Sequence, residues 1–150
     1  MKVVINQCYG GFSLSPKAVK RLAELQGIEC YFFLYSGPFC ECEPIPFEEV
    51  KNDLFWMAYS VPNPQDYRLD KQGEDGTYKE ANKRADEISI DKRNHSREDP
   101  LLVQVIEELG AEANGKYANL KIIDIPNGIK YTIEEYDGLE HVAEVHRTWD

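Results

Sequence analysis

The segment IKYTIEEYDGLEHVAEVHRTW, residues 129–149, limits what this chain can fold into more than any other stretch. Two alternating runs flank Asp137-Gly138, a dipeptide suited to a two-residue type I′ turn. A turn that tight joins strands that run antiparallel and lie side by side. If Asp137 and Gly138 alone form it, Glu134 faces His141 and Ile133 faces Val142. One residue of slippage would exchange the two faces. The chain is therefore expected to end in a β-hairpin of defined register.

Two helix entrances are equally explicit. After VVIN (3–6), a short run rich in β-branched residues and expected to be a buried strand, Gly10 and Gly11 break the extended chain. Ser15 stands where an N-cap belongs and Pro16 at the first helical position, where a missing N–H costs nothing. Ala18, Val19, Leu22, Ala23 and Leu25 supply an apolar face, and Gly27 a stop. Asp99 and Pro100 repeat the device before the stripe Leu102, Val105, Ile106 and Leu109.

Further strands are expected in CYFFLYS (30–36), buried on both faces, in DLFWMAYSV (53–61) and in LKIIDIP (120–126). GPFCECEPIP (37–46) is interrupted by prolines, which keeps it out of the centre of a sheet, and FEEVKNDLF (47–55) could open with a helical turn. From Pro62 to Asp99 charges of both signs crowd in and large apolar residues thin out. Within that stretch TYKE (77–80) fits a capping box, with Tyr78, Ala81, Ala85 and Ile88 at helical spacing. The reading is one α+β domain over 1–150: a largely antiparallel sheet, two main helices, a C-terminal hairpin, and an exposed charged insertion over 62–99 carrying a short amphipathic helix.

With 150 residues, 42% of them hydrophobic and 11% aromatic, the chain can bury a core without metals or disulfides. Its net charge of -10 disfavours direct binding to nucleic acid, and admits the opposite idea of a nucleic-acid mimic. Met1 leads straight into KVVINQC without a charged leader and apolar core, and no apolar run reaches membrane-spanning length. The expectation is a cytoplasmic protein with its four cysteines reduced.

A strand, a glycine pair, serines and a helix N-terminus make a layout that can receive an anion, because free N–H groups and the helix dipole point outward together. On that basis Tyr9, Gly10, Gly11, Phe12, Ser13 and Ser15 form a candidate ligand site. His95 and Arg97, from KRNHSREDP (92–100), add cationic contacts if the two helix entrances converge. The plainer reading is a tight turn with an N-cap at one entrance and a solvated charged loop at the other; neither the P-loop lysine nor a three-glycine dinucleotide pattern is present. Cys40 and Cys42 are one residue apart and lack a second paired knuckle, so no metal site is assigned. No nucleophile, base and acid can be grouped from spacing, so no catalytic residue and no cofactor is assigned, and an enzyme is the least favoured class.

KVVINQCYGGFSLS at the start, DPLLVQVIEELG before the last third, and IPNGIKYTIEEYDGLEHVAEVHRTW at the end together resemble a family of small proteins encoded by bacteriophages and prophages. The resemblance covers both ends, roughly half the chain. It implies an accessory protein acting inside a bacterial cell, against host functions, and carries over no catalytic residue. Combined with the loop, it gives the leading expectation: capture of a small anionic, nucleotide-like ligand that serves host defence. The alternative is an acidic inhibitor that docks on a basic surface of a host protein. Open sheet edges or exposed aromatics would favour a homodimer.

Overall fold

The computed structural model describes residues 1–36, 41–52, 55–68, 71–90 and 96–145. Among them the fold is α+β, and every sheet is antiparallel. The elements in chain order are β1 (Lys2–Asn6), α1 (Pro16–Gln26), β2 (Tyr31–Ser36), β3 (Glu41–Pro44) and β4 (Trp56–Tyr59). There follow α2 (Lys79–Ile88), α3 (Pro100–Leu109), β5 (Leu120–Asp124), β6 (Tyr131–Tyr136) and β7 (Leu139–Glu144). The chain forms two compact units, one of Met1–Ala18 with His95–Asp150 and one of Val19–Asn94.

In the first unit β1 pairs with β5, from Lys2 opposite Asp124 to Asn6 opposite Leu120. Val3, Val4 and Ile5 are all sealed from solvent. Successive residues of a strand point to opposite faces, so both faces of β1 are covered. Helix α3 packs on β1 and β5 and buries Leu102, Val103, Val105 and Ile106. It starts as the sequence indicates: the Asp99 carboxylate accepts from the Leu101 N–H at 2.9 Å, with Pro100 next. Ser15 likewise caps α1, its Oγ accepting from the Ala18 N–H at 3.1 Å. The hairpin of β6 and β7 has the expected register, with Glu134 opposite His141 and Ile133 opposite Val142. Asp137 and Gly138 both hold positive φ, 51° and 87°, as a type I′ turn requires.

The second unit holds a three-stranded sheet in the order β3-β2-β4. Phe32 and Phe33 are both buried, so the central strand is covered on its two faces. Strand β3 lies at the edge, the only sheet position its prolines leave open. A single 3-10 turn, Phe47–Glu49, precedes β4. Part of the charged stretch expected as an exposed insertion packs down. Ala81, Ile88 and Ile90 are buried, Ile88 beside Phe33 and Tyr59, and the Ile90 N–H donates to the Ala58 carbonyl at 3.1 Å. The capping box does not close: the Thr77 hydroxyl donates to Asp75 at 2.8 Å, and Tyr78 holds the N-cap position without a side-chain bond.

Candidate functional site

Strand β1 uses one edge for β5, so Val4 and Asn6 turn their backbone groups the other way. Two charged side chains seal that second edge. The Val4 N–H donates to the Arg97 carbonyl at 3.0 Å, and Arg97 Nη1 donates back to the Val4 carbonyl at 3.2 Å. The Asn6 N–H donates to Glu140 Oε1 at 2.7 Å. Arg97 and Glu140 then close on each other as a bidentate pair, 2.8 and 2.9 Å. Glu140 is buried, and the flat face of Arg97 lies 3.6 Å from the centre of the Phe12 ring. A carboxylate removed from water needs this much compensation: an opposite charge, two fork-matched bonds and a backbone donor.

Asn6, fully buried, ties the same region together. Its Nδ2 donates to the carbonyls of Cys8 and Gly138, each at 2.8 Å, and its Oδ1 accepts from the Asn119 N–H at 2.8 Å. Both amide donors and the carbonyl oxygen of the side chain are engaged. The Gly10 N–H donates to the Asp137 carbonyl at 3.1 Å. A Cβ on Gly138 would stand 2.2 Å from the Gly11 nitrogen, and one on Gly10 would stand 2.6 Å from the Tyr117 Cβ. The glycine pair at the start of the chain is thus the seat of the hairpin turn at its end.

The structure brings together every candidate residue that it describes. Phe12 is buried beneath Arg97. The Ser13 carbonyl accepts from the Gly115 N–H at 3.0 Å, with its side chain packed where a Gly115 Cβ would go. Ser15 caps α1 and also donates its hydroxyl to the Glu112 carbonyl at 2.6 Å. Tyr9 is exposed, and Gly10 and Gly11 hold the turn. His95 lies outside the described residues. Arg97 rests on Phe12, the residue after Gly11, and the anion it holds is Glu140, whereas the Ser15 cap of α1 is bonded to Glu112 and Ala18. Gly10 N–H, Ser15 Oγ and Arg97, expected to hold phosphate, are all engaged by the fold.

Asn6, Glu140, Tyr117 and Tyr136 belong to the site and were not singled out by the sequence, and Gly138 was read only as a turn residue. For Glu140 a signal existed. The predicted register puts it on the same strand face as Val142 and opposite Glu135, so a carboxylate was due on the apolar side of the hairpin, where only a paired cation would keep it. Tyr9, Tyr117 and Tyr136 border the seat of the turn and are 58%, 60% and 77% exposed. Glu134 and His141 meet across the hairpin at 2.9 Å, both exposed, a contact worth only a fraction of a kcal/mol.

Among the described residues no three His, Cys, Asp or Glu side chains are grouped as a metal would need. Cys40 lies outside them. Burial, ahead of the opposing effect of Lys20, pushes the Cys30 thiol up to about 12. Cys30 is then expected to resist iodoacetamide at pH 8 in the folded protein and to react once urea unfolds it. Mass spectrometry of the alkylated peptides reads this; rapid labelling of the native protein would contradict the burial. No described helix is long and apolar enough to cross a membrane. Comparison with known proteins finds no matching family model, and no curated protein or solved structure that matches the chain.

Proposed function

We propose that the protein is a non-enzymatic binding protein that docks on a basic surface of another protein, with Tyr9, Tyr117 and Tyr136 as contact residues. The observation that supports this is the exposure of three tyrosines around a junction whose own polar groups are already paired. Tyr9 precedes Gly10, Tyr117 packs on Gly10, and Tyr136 precedes Asp137, which takes the Gly10 N–H. Tyrosine offers large contact area with few rotors and a hydroxyl at its rim, and its ring face attracts Lys and Arg. Exposed Glu135 and Asp137 adjoin Tyr136, and the net charge of -10 steers a basic partner in. A phage origin, as the resemblance implies, would make that partner a host protein and this chain an inhibitor of its function. Capture of a nucleotide-like anion would instead ask Gly10, Ser15 and Arg97 to serve ligand and fold at once.

The test is retention of a host protein from bacterial lysate by the immobilised chain and by its Tyr9→Ser/Tyr117→Ser/Tyr136→Ser variant. The wild type is expected to hold a basic protein that rising salt releases, and the variant to hold about tenfold less. Equal retention by the variant would count against the tyrosine end. Retention of nothing, with nucleotide binding by calorimetry, would favour the small-ligand reading.

A further inference from the structure

We infer that the basic partner is captured by strand addition, an extended segment with Lys or Arg at alternate positions pairing along the open edge of β6. The inference rests on the proposed function and specifies how that binding is made. Among the described residues the backbone of β6 is hydrogen-bonded to β7 alone, and of its side chains the Tyr131 hydroxyl donates to Glu98. The phase of its backbone is fixed by the bond from the Val145 N–H to the Lys130 carbonyl, 2.8 Å. Bonded and non-bonded pairs alternate in an antiparallel ladder, so Thr132, Glu134 and Tyr136 point their backbone groups at β7. Tyr131, Ile133 and Glu135 then point theirs outward, which gives three donors and three acceptors at the repeat an incoming strand needs.

The contrast with β1 is informative. There, the edge away from β5 is closed by Arg97 and Glu140, as described above. Natural sheets blunt free edges because an open one invites pairing. Here one edge of the unit is sealed by buried charged groups, and β6 is left with its ladder available.

Charge selects the occupant. Thr132, Glu134 and Tyr136 are exposed on one face of β6, and Glu135 on the other. A strand with basic residues at alternate positions carries them on one face, where they meet Glu134 between Thr132 and Tyr136. Opposite charges across a strand pair stabilise it and like charges oppose it. A second copy of β6 would bring its own Glu134 and Glu135 onto the same ribbon, so self-pairing is disfavoured. The surface contact between Glu134 and His141 leaves the glutamate free to exchange partners.

The experiment uses the whole chain and two synthetic peptides of equal charge and of about eight residues each, enough to span β6. One alternates Lys with Thr; the other is the same peptide N-methylated at every backbone amide, which removes the donors of both edges. Amide hydrogen exchange by NMR is expected to slow about tenfold at Tyr131, Ile133 and Glu135 on adding the Lys-Thr peptide, with Thr132 and Glu134 unchanged. The N-methylated peptide should leave all five unchanged. Glu135→Pro deletes one outward donor without touching the β6–β7 ladder and should weaken binding about tenfold; Glu135→Gln, which keeps the donor, should weaken it less. Equal binding of the two peptides, or none, would overturn strand addition. So would protection of the same amides that grows with protein concentration and no peptide, which would mean self-pairing. The pull-down with the tyrosine variant stands apart from these outcomes, so failure here and failure of the proposed function are separable.

Discussion

Replacing Glu140 by alanine is expected to destabilise the first unit by about 3 kcal/mol, because it leaves a partly buried arginine uncompensated. In a unit of 74 residues that loss lowers Tm by roughly 12–24 °C. Three groups lose partners together: both Nη atoms of Arg97 and the Asn6 N–H. The Asn6 N–H is the most costly of these, since an orphaned donor in a buried strand is cut off from water. The combined Arg97→Met/Glu140→Leu variant is expected to lose less than Glu140→Ala, as a dry apolar pair avoids the unpaired charge. Urea unfolding followed by amide exchange at Val4 and Asn6 reads the first unit directly. A loss under about 1 kcal/mol would mean that the pair behaves like an exposed one.

Gly138→Ala is expected to cost about 2–5 kcal/mol, the left-handed backbone and an overpacked contact acting together. The new Cβ would lie 2.2 Å from the Gly11 nitrogen and 2.7 Å from that of Gly10, backbone atoms that cannot swing aside. Gly128 supplies the control, having nearly the same φ, +82°, with nothing within 4 Å of an added Cβ. Gly128→Ala should cost only about 1 kcal/mol, the backbone contribution alone. The difference between the two variants isolates the docking of the hairpin turn on the N-terminal glycines. Similar losses for both would show that the turn does not depend on that seat.

Local design was legible where the signal sits within a few residues. Ser15-Pro16, Asp99-Pro100 and Asp137-Gly138 specify a cap, a cap and a turn through chemistry that tertiary context did not override. The hairpin register followed from the turn alone. What could not be read was pairing at long range. That β1 would take β5, over a hundred residues away, as its neighbour rests on burial that several apolar runs could have satisfied equally. The charged stretch from Pro62 to Asp99 looked exposed because its few apolar residues are sparse, yet Ala81, Ile88 and Ile90 are spaced to reach the core of the second unit. The loop at Gly10 and Gly11 was expected to receive an anion, and its Gly10 N–H is instead taken by the Asp137 carbonyl of the hairpin turn. The sequence did not say that the chain carries its own, since Glu140 looks like any other surface acid until it is placed on a strand face.

A double-mutant cycle on Arg97 and Glu140 tests most directly the claim that the second edge of β1 is closed by an internal, mutually dependent ion pair. Arg97→Met, Glu140→Gln and the pair together, each unfolded in urea, should give a coupling energy of about 2 kcal/mol or more, within the range seen for residues sharing one network. Losses that simply add, to within about 0.5 kcal/mol, would contradict it. The Arg97 guanidinium would then be available to an outside anion, and the N-terminal loop a receptor after all.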